Sequence, residues 1–340
     1  MSTLTPRRCT PPSPEAARGR NVIVTDLNNR PGGPNLIVTA KTAHKVHFLD
    51  AATLTMQSTI DMPGSTHELA ISPDGRTAYG TVYGDGVFAK RVNPDRRIVV
   101  IDLPSRSLAR VIDLGAVYAP HGVMMDEQGT LWSSGELGNA VLAIDPASDR
   151  VERIDVGHTA HWVAVSHATG KVFASVKSNY LVVIDAARRA VIDRIALPHV
   201  VEGLAVSPDG AMVYASAQDA AEFYVVETRS HAVTLTVPID GANPEKKQMR
   251  RVRVSPDNNY VVVSSNQDHH VAIYERDGLK QIASIPVKKS PMGFGFAPGG
   301  MHAYVCCHDD AEVFEFELAT GRVTRTFPTA AGCEFIVAYH

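Results

Sequence analysis

Cysteine is scarce in this chain. Only Cys9, Cys306, Cys307 and Cys333 occur in 340 residues. Their spacing builds no disulfide framework, the adjacent pair does not favour a mutual bridge, and no C-x-x-C-H motif attaches haem. An excess of positive charge is also missing: Lys and Arg number 33 against 36 Asp and Glu, for a net charge of -3. No basic run is long enough to follow a phosphate backbone, so nucleic acid is not an expected partner. Long hydrophobic runs are absent as well. The longest, such as Leu181-Val182-Val183-Ile184, have the length of strands, which rules out a membrane-spanning helix. Residues 1–20 carry Pro, Arg, Ser and Thr without an apolar h-region. They read as a disordered leader rather than a signal peptide, leaving residues 21–340 as one domain and the cytoplasm as the expected compartment.

Helical periodicity is the last absence. Runs of four to seven residues rich in Val, Ile, Tyr and Phe alternate with turn residues, the mark of an all-β chain. These runs repeat. A polar head is followed by an alternating strand, a tight turn, a second strand, a polar loop, a third strand and a fourth. Heads fall at His67, His121, His161, Glu202, Arg250 and Met292, spaced by 54, 40, 41, 48 and 42 residues. About forty residues is one four-stranded propeller blade. The two longer intervals contain insertions at 84–97 and 240–248. A seventh blade is assembled from both ends of the sequence. Leu36 to Ile60 supplies three strands, and Glu334 to His340 supplies a single strand whose head is Glu334, or Cys333 if the register slips by one. The expected fold is therefore a seven-bladed β-propeller whose ring is closed by N- and C-terminal strands sharing one blade, which removes exposed sheet edges. Asn21 to Thr25 is a second candidate for that inner position.

The Ser72-Pro73-Asp74-Gly75 and Ser207-Pro208-Asp209-Gly210 turns, the Tyr-x-(Ser/Thr) second strands and the Val183-Ile184-Asp185 third strand resemble the YVTN-type seven-bladed propellers. More broadly, they are similar to the lactonase propellers of the 6-phosphogluconolactonase and carboxymuconate-cyclising type. The resemblance covers about Leu36 to His340. It implies a fold rather than an activity, because hydrolases, lyases, isomerases, redox proteins and scaffolds all use this architecture.

The chemistry is expected in the heads. First strands of propeller blades lie innermost, so the heads ring the channel mouth. A histidine at a strand start can simply bond a neighbouring carbonyl, but three at matched repeat positions, with a carboxylate on the next blade, form a candidate metal site. His67, His121, His161 and Glu202 suit a divalent transition metal (Zn, Fe, Mn, Cu or Ni). Glu202 is either a fourth ligand or a catalytic base, and Arg250 is the catalytic cation expected to hold a carboxylate or enolate oxygen. Loops on the same face add His44, Tyr83, Glu136, Asn179, Tyr180, His269 and His308, with Glu334, as a substrate shell. The expected function is a metal-dependent enzyme for a small, anionic molecule, by lactone hydrolysis or by elimination or isomerisation through an enolate. The alternatives are a non-catalytic interaction propeller and a redox or copper protein using the same histidines. The sequence leaves oligomeric state open.

Overall fold

A computed structural model describes residues 35–86, 92–116, 118–248 and 250–339. The expected leader and the Asn21–Thr25 segment lie outside them. Seven antiparallel sheets of four strands each form the ring. Their inner strands are Thr66–Ile71, Pro120–Met125, Ala160–Ser166, Val201–Val206, Arg250–Val254, Pro291–Phe296 and Cys333–Tyr339, which number blades one to seven. In blade seven, Cys333–Tyr339 pairs with Asn35–Ala40, setting Val38 opposite Ile336. The strand from the far end of the sequence thus fills the inner position and closes the ring. Among the described residues no helix is long and apolar enough to cross a membrane.

Burial explains the residue choice. Middle strands are covered on both faces by neighbouring blades, so they are largely apolar: Val141, Leu142 and Ile144 are fully buried. Outer strands face water on one side, and Val233–Pro238 is mostly exposed. Contacts between blades make the core, as where Trp162 and Phe173 of blade three meet Leu204 and Tyr224 of blade four. The Ser-Pro-Asp-Gly turns are held locally. Ser72 Oγ donates to Asp74 and accepts from the Thr77 amide at 2.9 Å, while Gly75 adopts φ +70°. In blade five Asn258 takes that left-handed position at φ +65°, which asparagine tolerates. These serines are structural.

A set of hydroxyls stitches four of the inner strands to the next blade. Thr39, Thr81, Ser134 and Ser216 donate to the carbonyls of His67, His121, His161 and Arg250 at 2.6–3.0 Å. Each also accepts an amide of its own blade's inner strand. Blade spacing is tight here: a Cβ on Gly203 would sit 2.5 Å from Arg250 O, so glycine is required. Ser216→Ala strands two buried backbone groups and is expected to lower stability by about 1–3 kcal/mol in urea unfolding. A loss within error would show that the hydroxyl is dispensable.

Cys306 and Cys307 are buried in a middle strand. Burial pushes the Cys307 thiol up to about 12 and raises the Cys306 thiol well above its ordinary value. Both are expected to resist thiol reagents at pH 8 in the native protein and to react after denaturation. Native-state labelling mapped to either residue would contradict this.

Candidate functional site

Six of the seven inner strands carry a β-bulge at their start, and each bulge contains the head: His67, His121, His161, Glu202, Met292 and Glu334. An extra residue in one strand breaks the alternation and re-aims a side chain. Here it lets heads of successive blades touch. The His67 and His121 rings lie 4.2 Å apart between centroids, and His121 and His161 lie 4.0 Å apart. His161 Nε2 donates to Glu202 Oε1 at 2.9 Å. His67 Nε2 stands 3.6 Å from Glu334 Oε1. All five of these heads are buried.

Blade five departs from the expectation. Over its described length its inner strand pairs with Tyr260–Ser265 without a register shift, so Arg250 sits opposite Ser265 in the ladder. Without the bulge the Arg250 side chain turns from the axis. Its guanidinium donates to the carbonyls of Ala217, Gln218 and Asn243, each at 3.1 Å, and pins the 240–248 insertion to blade four. The cation that reaches the cluster is Arg251. It donates to Glu68 Oε1, and to Glu334 Oε1 at 2.6 Å, and stacks 5.0 Å from the Trp162 ring. Arg250 is thus corrected to a structural residue.

A second ring surrounds the heads. The residue directly after each second strand contributes to it, Lys41, Glu136, Lys177, Gln218, Asn266 and His308, and in blade one Tyr83 near the strand's end. In the six blades other than five, its amide donates to the carbonyl two residues before the head. Glu136 Oε1 lies 2.5 Å from His161 Nδ1, and its Oε2 accepts from Tyr83 Oη at 2.8 Å. Lys177 Nζ and Gln218 Nε2 donate to Glu202 Oε2 at 2.8 and 2.6 Å. His308 Nε2 lies 3.5 Å from Glu334 Oε2. Six of these residues follow their heads by 15 or 16 positions, a regularity visible in the sequence; in blade seven the ring closure puts Lys41 before its head, Glu334, and hides it.

The predicted substrate shell therefore divides. Tyr83, Glu136, His308 and Glu334 join the cluster. His44 instead bonds Ser65 at 3.1 Å and faces Asp85. Asn179 and His269 are exposed in turns, and Tyr180 packs beside His158 and Arg194. The reading from sequence missed Lys41, Glu68, Lys177, Gln218 and Arg251.

Electrostatics follow from the pairing. With a carboxylate on each nitrogen, His161 is held protonated: burial, the largest influence, and Lys177 push its pKa down, but Glu202 and Glu136 raise it above the ordinary value. Burial and nearby cations push His67 and His121 well below theirs, so both are neutral imidazoles. Their Nδ1 atoms are buried and have no hydrogen-bond partner among the described residues. Glu202 lies far below the usual carboxylate range; burial opposes this, but Lys177 and His161 outweigh it. Donor atoms of His121, Glu136 and His161 all fall within 4.8 Å of one another, as do those of His67, Glu68 and Glu334. The three predicted histidines meet ring to ring, but their donor atoms divide between two carboxylate-containing groups.

No family model matches the chain. A curated relative, Antigen Lp49 of Leptospira interrogans serogroup Icterohaemorrhagiae serovar copenhageni (strain Fiocruz L1-130), is 25% identical over 270 residues, 72% of this chain. The chain spans 55% of that relative's length. Among solved structures, a periplasmic gluconolactonase of Pseudomonas aeruginosa superposes with a TM-score of 0.73 at 17% identity, covering 90% of this chain and 99% of its own. Kuenenia stuttgartiensis hydrazine synthase gives 0.68 at 18% identity, covering 88% and 93%. The likeness is one of fold. The expected similarity to lactonase propellers holds at that level, and neighbours of this kind include enzymes.

Two outcomes test the electrostatics. Arg251→Ala leaves Glu68 and Glu334 buried without their cation and is expected to cost about 3–5 kcal/mol. Arg250→Ala loses bonds to neutral carbonyls only, about 1–3 kcal/mol; equal costs in parallel unfolding curves would contradict the assignment. Glu136, held at about 2 against an ordinary 4.5, has burial pushing its pKa up but His161 and Tyr83 pulling it down further. Its contribution, about 3 kcal/mol, is present above pH 4.5 and lost as pH falls toward 2. Stability measured against pH should fall less steeply over that range in Glu136→Gln.

Proposed function

We propose that the channel mouth is the active site of a metal-dependent enzyme for a small, anionic molecule, of the lactone-hydrolysing or enolate-forming kind. The observation that carries this reading is the buried group of His121, Glu136 and His161, with donor atoms within 4.8 Å and His121 Nδ1 lacking a partner. Two imidazoles and a carboxylate suit zinc or ferrous iron among the divalent transition metals. When bound, such an ion supplies Lewis acidity toward a substrate oxygen.

The chain's own residues do the rest. Glu202 holds His161 Nε2 and fixes the ring so that Nδ1 faces Glu136; an ion held there would take the place of the Nδ1 proton, and Glu202 would be the outer carboxylate that metal-binding histidines ordinarily have. Being ionised throughout the neutral range, Glu202 orients His161 rather than taking substrate protons. His67 is the available proton acceptor: it is neutral, has no bond at Nδ1, and Glu68 and Glu334 oxygens 3.4 and 3.6 Å away would stabilise its cation. Lys177, about a quarter exposed, is the cation that an anionic substrate meets at the mouth.

Elemental analysis and calorimetric titration with zinc and manganese test this reading. About one ion per chain is expected, with affinity reduced at least about tenfold in His121→Ala and in Glu136→Gln. Turnover of a lactone panel should fall with metal removal and return on its restoration. Metal-free protein with undiminished turnover would overturn the reading.

A further inference from the structure

The channel has a second chamber at its other end. Where the inner strands finish, a cavity of about 430 Å³ opens, within the size range of small-molecule sites. Its wall is apolar, built by Leu69, Val123, Met124, Phe294, Phe296 and Val337 from blades one, two, six and seven. Among the described residues one charged side chain lines it, Arg253.

Arg253 is an unusual cation. Among the described residues its guanidinium makes no hydrogen bond. It lies over the rings of Trp162 and Phe335, 5.2 and 5.6 Å from their centroids. Its one carboxylate neighbour among the described residues, Glu68 Oε2, forms a loose ion pair at 3.8 Å, too long for a hydrogen bond. Glu68 cannot serve it fully, because its other oxygen is taken by Arg251. Burial presses against the Arg253 cation, Glu68 partly offsets it, and the charge of Arg251 adds to the pressure. Five guanidinium donors fixed against aromatic faces at the base of an apolar chamber form one half of a charge-assisted pair.

We propose that this chamber is a binding site for a small carboxylic acid with an apolar body, its carboxylate held by Arg253 and its hydrocarbon by the apolar wall. The site is separate from the histidine cluster and does not depend on the metal reading. Arg253, Glu68 and Arg251 connect the two ends of the channel, so an occupant here sits one ion pair from the Glu334 and His67 group.

The test uses the purified full chain without added metal. The probes are 8-anilinonaphthalene-1-sulfonate, followed by fluorescence, with phenylacetate and phenylacetamide as competitors. Saturable binding of one probe per chain is expected, displaced by phenylacetate and at least about tenfold less well by the amide. Arg253→Gln should erase that preference for the anion, and Arg253→Lys should keep part of it. Met124→Glu, on a partly buried wall residue, should abolish anion binding by repulsion and serves if Arg253→Gln does not fold. Absence of saturable binding, equal displacement by acid and amide, or unchanged binding in Met124→Glu would overturn the proposal.

Discussion

Charge is buried along the axis of this propeller, and that is possible because opposite charges reach the axis from different blades. Glu334 of blade seven and Glu68 of blade one share Arg251 of blade five. Glu202 of blade four takes Lys177 and His161 of blade three. Removing blade five would leave Glu68 and Glu334 without that guanidinium in a low-dielectric interior, at a penalty of several kcal/mol. The cluster thus depends on ring closure by Cys333–Tyr339, which also delivers Glu334. Fold and site are coupled through this requirement.

Local backbone chemistry sets the precision of the arrangement. Hydroxyls at matched positions hold the carbonyls of His67, His121 and His161 at 2.6–3.0 Å. The bulges then aim the head side chains inward, and the second ring supplies their partners at fixed positions. Rotamer choice is left little freedom once both rings are in place. This kind of preorganisation is what metal binding or acid–base chemistry requires.

Much of this was legible in the sequence, because repetition carries information that a single strand does not. The turns at Ser72, Ser207 and Ser255 set the period, and counting back from them locates the heads. That count was sufficient for His67, His121, His161, Glu202 and Glu334. At Arg250 it pointed to a residue whose backbone is in place but whose side chain is not, since side-chain direction depends on a bulge that the residue count does not encode. Lys41 and Lys177 were passed over because lysine at a strand end reads as a solvated charge. Their shared offset from the heads was the available signal. Pairing across blades, such as Glu68 with Arg251, is separated by 183 residues and leaves no local trace.

The central claim is that His121, His161 and Glu136 form one metal-binding group in which Glu202 plays an outer role. An anomalous-difference map from crystals grown with zinc, recorded on both sides of the metal edge, addresses it directly. The account predicts one peak at this group, bonded to two imidazole nitrogens and a carboxylate oxygen, with Glu202 still on His161. A peak at His67, Glu68 and Glu334 instead, or none on the axis, would contradict it.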